Sequence, residues 1–162
     1  MTSFERDMAR GKIGEEIVLN FLKSDDRVKK VVDVREDELH QLKDIDFIQF
    51  FKNGKSIDIE VKTDELAHKT DNIAYESISS KTYGTLGCFD KTSAQLIYYY
   101  IAHTDEILII DVYLIRAYMK INKDKYKLID MGDDAMGYLI PIKDILNNGL
   151  GRYAEKERRA VC

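Results

Sequence analysis

Asp44-Ile45-Asp46-Phe47, followed by Ile57-Asp58-Ile59-Glu60-Val61-Lys62-Thr63, reads as two β-strands joined through Lys52-Asn53-Gly54-Lys55, a strong hairpin signal. The strands are expected over residues 45–51 and 56–63. Strand side chains alternate, so Ile57, Ile59 and Val61 share one face and Asp58, Glu60 and Lys62 the other. The turn decides what stands opposite that charged face. A two-residue Asn53-Gly54 turn pairs Lys52 with Lys55 and sets Asp46 against Val61, which separates the carboxylates. A three-residue turn, Lys52-Asn53-Gly54 with Gly54 left-handed, pairs Phe51 with Lys55 and Asp46 with Glu60, and keeps Phe47 and Val61 on the apolar face. Opposed residues have Cβ atoms roughly 5 Å apart, and like charges so placed repel unless a cation lies between them. A hard divalent ion such as Mg²⁺ is the natural occupant. Glu60-Val61-Lys62 is the one acid-x-Lys of the chain and follows its one Asp-x-Asp. Lys62 is on the face of Glu60, within reach of whatever the metal holds.

A third acid comes from the start of the chain. Thr2-Ser3-Phe4-Glu5 has the form of a capping box, and apolar residues recur at helical spacing from there to Lys23. At 100° per residue, Phe4, Met8, Gly11, Val18 and Leu22 fall within ~40° of one direction, with Glu15 among them and Glu16 ~100° away. A carboxylate inside an apolar stripe is costly unless paired or metal-bound. Gly11 and Gly14 are expected to let this helix close on the sheet and bring Glu15 towards the charged strand face.

The 162-residue chain, with one proline and nine dispersed glycines, has no obvious linker and is expected to form a single domain over residues 1–162. A strand over 72–79 completes a meander, 81–91 reads as loop, and 94–102 and 106–110 as further strands. A helix from about Asp111 carries Val112, Ile115 and Met119 inward, a late strand covers 138–142 and a helical turn 143–147, and the polar tail 151–162 is expected to fray. The fold class is therefore α/β: an N-terminal helix, then a β-meander, in a mixed central sheet flanked by helices. The net charge of −4 argues against coating nucleic acid by bulk positive charge. No apolar run approaches the ~18–20 residues needed to span a bilayer, and no leader is evident, so no membrane partner and a cytoplasmic location are expected. Two distant cysteines, Cys88 and Cys162, are too few for a disulfide framework or a zinc site.

Gly11-Lys12-Ile13-Gly14-Glu15, Ile45-Asp46 and Ile59-Glu60-Val61-Lys62 together resemble the PD-(D/E)xK nuclease superfamily, the restriction-endonuclease-like group that includes Holliday-junction resolvases, in its order of helix glutamate, strand aspartate and E-x-K. Ile45 stands where the superfamily's name has proline. Thr70-Asp71-Asn72-Ile73-Ala74-Tyr75-Glu76 looks like the T-G-N-I-x-x-E segment of a phage and mobile-element branch, with Asp71 in place of the usual glycine. The resemblance implies a restriction-endonuclease-like core and metal-dependent hydrolysis of DNA phosphodiester bonds by a homodimer. It implies Glu15, Asp46, Glu60 and Lys62 as catalytic residues, Mg²⁺ or Mn²⁺ on Asp46, Glu60, the Val61 carbonyl and Glu15, and Thr70, Asn72 and Glu76 as cleft residues. A non-catalytic nucleic-acid or protein-binding module and an RNA-directed nuclease are the alternatives.

Overall fold

The computed structural model describes residues 3–155. Thr2 of the capping box, the side chains of Phe4 and Glu5, and the tail bases Lys156, Arg158 and Arg159 lie outside the described groups. Helix α1 (Ser3–Lys23) leads into strand β1 (Val28–Asp33), a short helix α2 (Glu38–Gln41), and the hairpin β2 (Phe47–Phe51) and β3 (Ser56–Asp64). Then come α3 (Ala67–Thr70), β4 (Asn72–Ser80), β5 (Thr85–Leu86), α4 (Cys88–Lys91), β6 (Leu96–Ile101), β7 (Glu106–Asp111) and α5 (Val112–Asn122). Strands β8 (Leu128–Gly132) and β9 (Ala135–Pro141), helix α6 (Ile142–Asn147) and strand β10 (Gly151–Tyr153) complete the fold.

The hairpin takes the register of the three-residue turn. Phe47 pairs with Ile59 and Phe50 with Ser56, while the Phe51 amide donates to the Lys55 carbonyl at 2.9 Å. Gly54 sits at φ +86°, a conformation open to glycine and strained for other residues. The central sheet has the order β1-β2-β3-β6-β7-β10, antiparallel throughout except for the parallel β3–β6 pair. The meander is β1-β2-β3. The strand expected to complete the meander after β2 and β3, β4, instead leaves for a second, antiparallel sheet of order β5-β4-β9-β8. That departure is what allows β6 to lie parallel beside β3, since a parallel neighbour needs a long crossover. Within the segment read as loop, β5 and α4 form, and the first residues of the tail expected to fray pair as β10 with β7.

Both faces of the central sheet are covered, which explains the unbroken apolar runs of β6 and β7. On one face α1 lays Val18, Phe21 and Leu22 on Phe47, Ile59, Val61, Tyr98 and Tyr100. On the other, Ile97, Tyr99, Leu108 and Ile110 meet α4, α5, α6 and the inner face of the second sheet through Phe89, Ile115, Ile145, Tyr75 and Ile140. Helix α5 is as the sequence spacing requires: Asp111 caps it by accepting from the Leu114 amide at 2.9 Å, and Val112, Ile115 and Met119 point inward. The Tyr98-Tyr99-Tyr100 run is core packing, each ring no more than 5% exposed.

Of the two glycines expected to seat α1, only Gly14 does so. A Cβ there would stand 2.0 Å from Thr63 Oγ1 and 3.1 Å from Tyr100 Cδ1, whereas one on Gly11 would meet nothing within 4 Å. Gly14→Ala is therefore expected to destabilise the fold by about 1–3 kcal/mol. Gly11→Ala is expected to stabilise it by up to about 1 kcal/mol, through helix propensity alone. Urea melts of the two variants check the contrast.

Candidate active site

The ladder between β2 and β3 ends at Phe47 and Ile59, and Asp46 continues it by other means. The Asp46 amide donates to the Ile59 carbonyl at 2.9 Å, and the Val61 amide, one step further along β3, donates to Asp46 Oδ2 at 2.8 Å. A side-chain carboxylate thus takes the place of the next backbone acceptor. On the outer side the Asp46 carbonyl accepts from the Val34 amide at 3.0 Å, so the segment is tied to both neighbours. Asp44, just before it, has φ 48° and turns its carboxylate to Lys91 Nζ at 2.7 Å. It is a salt-bridge partner.

Glu60 points from β3 to the face away from α1 and is 9% exposed. Its carboxyl group lies near that of Asp46, close enough for each acid to be felt at the other. Burial is the main reason that the Asp46 pKa is pushed up to about 6; the Val61 amide works against the rise and the charge of Glu15 adds to it. Burial also raises Glu60 well above the usual carboxylate range, with the neighbouring Asp46 charge in the same direction. Burial and mutual repulsion thus both work against ionising the pair.

Lys62, two residues on and partly buried, lies on the same face. Burial disfavours its ammonium, but the acidic groups around it, among them Glu76, Glu60 and Asp44, outweigh that and hold its pKa above the ordinary lysine value. Lys62 is therefore a cation at neutral pH and acts as a charge and a donor. The second sheet supplies the opposite wall. Glu76 accepts from the Cys88 amide at 3.3 Å, and the Cys88 thiol lies 3.5 Å from Glu60 Oε1. Burial pushes the Cys88 thiol up, so it stays protonated and can donate to Glu60.

Glu76 is thus brought to the cluster. Thr70 and Asn72 do not: the Asn72 side-chain amide donates to the Thr70 carbonyl at 2.7 Å and the Asn72 backbone amide to Thr70 Oγ1 at 3.3 Å, which ties the turn from α3 into β4. Glu15 arrives by a different route from the one expected. Helix α1 covers the apolar face, so Glu15 reaches the site around the end of β2, where Arg35 Nη1 donates to its Oε2 at 2.9 Å. Neither Arg35 nor Cys88 carries a sequence signal, because each meets the site only through tertiary packing.

Among the described residues, no three His, Cys, Asp or Glu side chains converge as a ready-made metal cage. The donor set nevertheless fits a hard, strongly hydrated cation. Mg²⁺ is commonly held by one or two carboxylates, with water or phosphate completing its shell. The Val61 carbonyl adds an oxygen on the β2 side, since it leaves the strand in the direction of its own amide.

No family model and no curated protein matches this chain. Among solved structures it is similar to a bacterial homing endonuclease, I-Ssp6803I, at 14% identity and a TM-score of 0.49, over 68% of this chain and 72% of that one. Among the described residues no helix is long and apolar enough to cross a membrane.

The raised carboxyl pKa has a definite consequence for stability. Between about pH 4 and about 6 the metal-free folded protein keeps a proton on Asp46 that the unfolded chain has released, so stability falls as the pH rises through that window. Asp46→Asn is expected to flatten this dependence and to stabilise the metal-free protein at neutral pH by on the order of 1–2 kcal/mol. Denaturant melts in EDTA at pH 4.5 and 7 measure it.

Proposed function

We propose that this protein is a divalent-metal-dependent endonuclease that hydrolyses DNA phosphodiester bonds, of the resolvase- or restriction-like kind implied by its resemblance to the PD-(D/E)xK superfamily. The observation that carries the reading is the meeting of the buried Glu60 and the partly buried Asp46, whose carboxyl groups interact, with the Lys62 ammonium on the strand face of Glu60. A solvated strand face would have spread these charges into water. Here burial makes the acid pair costly without a cation.

Asp46, Glu60 and the Val61 carbonyl would hold Mg²⁺ or Mn²⁺, with Glu15 at its outer side. The chemistry supplied by such an ion is polarisation of a phosphate oxygen and a lowered pKa for a bound water. Lys62 offsets the negative charge that builds on the phosphorus oxygens as the attacking oxygen approaches. The Cys88 thiol and the Val61 amide orient Glu60 and Asp46 by donating to them, which fixes both carboxylates before substrate arrives. The charge of Glu76 is felt at Lys62 and favours its ammonium form. Paired strand cuts would need paired sites, as a homodimer provides.

The test is a cleavage assay on linear, single-stranded, flapped and four-way-junction DNA, with an RNA control, in Mg²⁺ and in EDTA. Wild type is expected to cut DNA in Mg²⁺ only, and Lys62→Ala to lose about 10²–10³-fold in rate. Equal cutting by Lys62→Ala removes that lysine from the mechanism. A wild type that binds DNA without cutting it points to the non-catalytic module, and cutting confined to the RNA control points to the RNA-directed nuclease.

A further inference from the structure

Arg35, two residues past the end of β1, is ringed by carboxylates. Its Nη1 donates to Glu15 Oε2 at 2.9 Å and its Nη2 to Glu16 Oε1 at 2.7 Å, while Nε and Nη2 form a fork on Asp33 at 3.0 and 2.6 Å. The guanidinium, 20% exposed, also lies 5.0 Å from the ring centroid of Phe47, the residue after Asp46. It is thus fixed on one side by the Asp33 fork and the aromatic face, and its charge is felt at the Asp46 carboxyl, as is that of Glu15. One cation among three carboxylates leaves a net negative group beside Asp46 and Glu60. The Glu15 contact is a single hydrogen bond, so Glu15 can leave while the fork keeps Arg35 in its seat.

We propose that Arg35 is an internal counter-ion that competes with the divalent cation for Glu15. In the metal-free protein it holds Glu15 off the Asp46–Glu60 pair, and a cation recruits Glu15 only by breaking the Arg35 contact. The inference rests on the metal-dependent reading above. It explains why the site presents two convergent acids and a third at its margin. It also makes Arg35 a positioning residue, acting through Glu15 and not on substrate.

The experiment is a calorimetric titration with Mn²⁺ alone, without DNA, so that no cleavage is needed. Arg35→Met is expected to bind Mn²⁺ about tenfold more tightly than wild type, the scale of one charge-assisted hydrogen bond. The gain should vanish in the Arg35→Met/Glu15→Gln double variant. Binding by Arg35→Met that is equal to wild type or weaker, or a gain that survives Glu15→Gln, overturns the proposal. Because Arg35→Met leaves Asp33 and Glu16 unpaired, Arg35→Lys is measured beside it and thermal melts monitor folding. If only Arg35→Lys folds, tighter binding than wild type supports the inference and unchanged affinity overturns it. Asp46→Asn separates the two levels. If it binds Mn²⁺ as wild type does, the metal site itself is wrong and the role of Arg35 falls with it; if it binds weakly while Arg35→Met matches wild type, only the counter-ion idea fails.

Discussion

The hydrogen bond from the Val61 amide to the Asp46 carboxylate occupies the point where a backbone acceptor would have continued the ladder between β2 and β3. It has two consequences that the rest of the site inherits. It places a carboxylate at the margin of a sheet covered on both faces, where burial resists its ionisation. It also anchors that carboxylate to the strand that carries Glu60 and Lys62, so the three groups keep one geometry whatever the loops do. The strand turns from structure to chemistry within one residue.

The layers around the sheet decide how dry that geometry is. Helix α1 seals one face, and α4 with the second sheet closes on the other, bringing Cys88 and Glu76 against Glu60 and Lys62. Had β4 stayed in the meander, the charged face would have remained open to water and its carboxyl groups would have titrated as ordinary surface acids. Its departure to a separate sheet lets α4 and β4 pack towards that strand face.

Charge looks different in this light. A formal −4 is modest for a chain of this size, yet the acids are unevenly placed: Glu15, Glu16 and Asp33 gather on Arg35, and Asp46, Glu60, Asp44 and Glu76 lie near Lys62. Two internal cations hold together clusters that bulk composition cannot reveal. Bound divalent ions would shift the same region towards neutrality, which is the electrostatic condition for a polyanion to approach it.

Much of this was legible from the chain itself. The Lys52-Asn53-Gly54-Lys55 turn has one register that keeps Phe47 and Val61 inside, and that local chemistry set Asp46 against Glu60; α5 was equally readable from Asp111 and the spacing of Val112, Ile115 and Met119. Such features depend on neighbours within a few residues, where turn geometry and side-chain periodicity act. What the chain alone left open is set by contacts remote in sequence: that β4 quits the meander, that residues 151–153 pair with β7, that α1 covers the apolar face and sends Glu15 around the end of β2 to Arg35, and that Cys88 comes to Glu60. These are choices among competing ways of burying apolar surface, and only the packed molecule decides between them, because a segment's own periodicity says which face is apolar but not which partner will cover it.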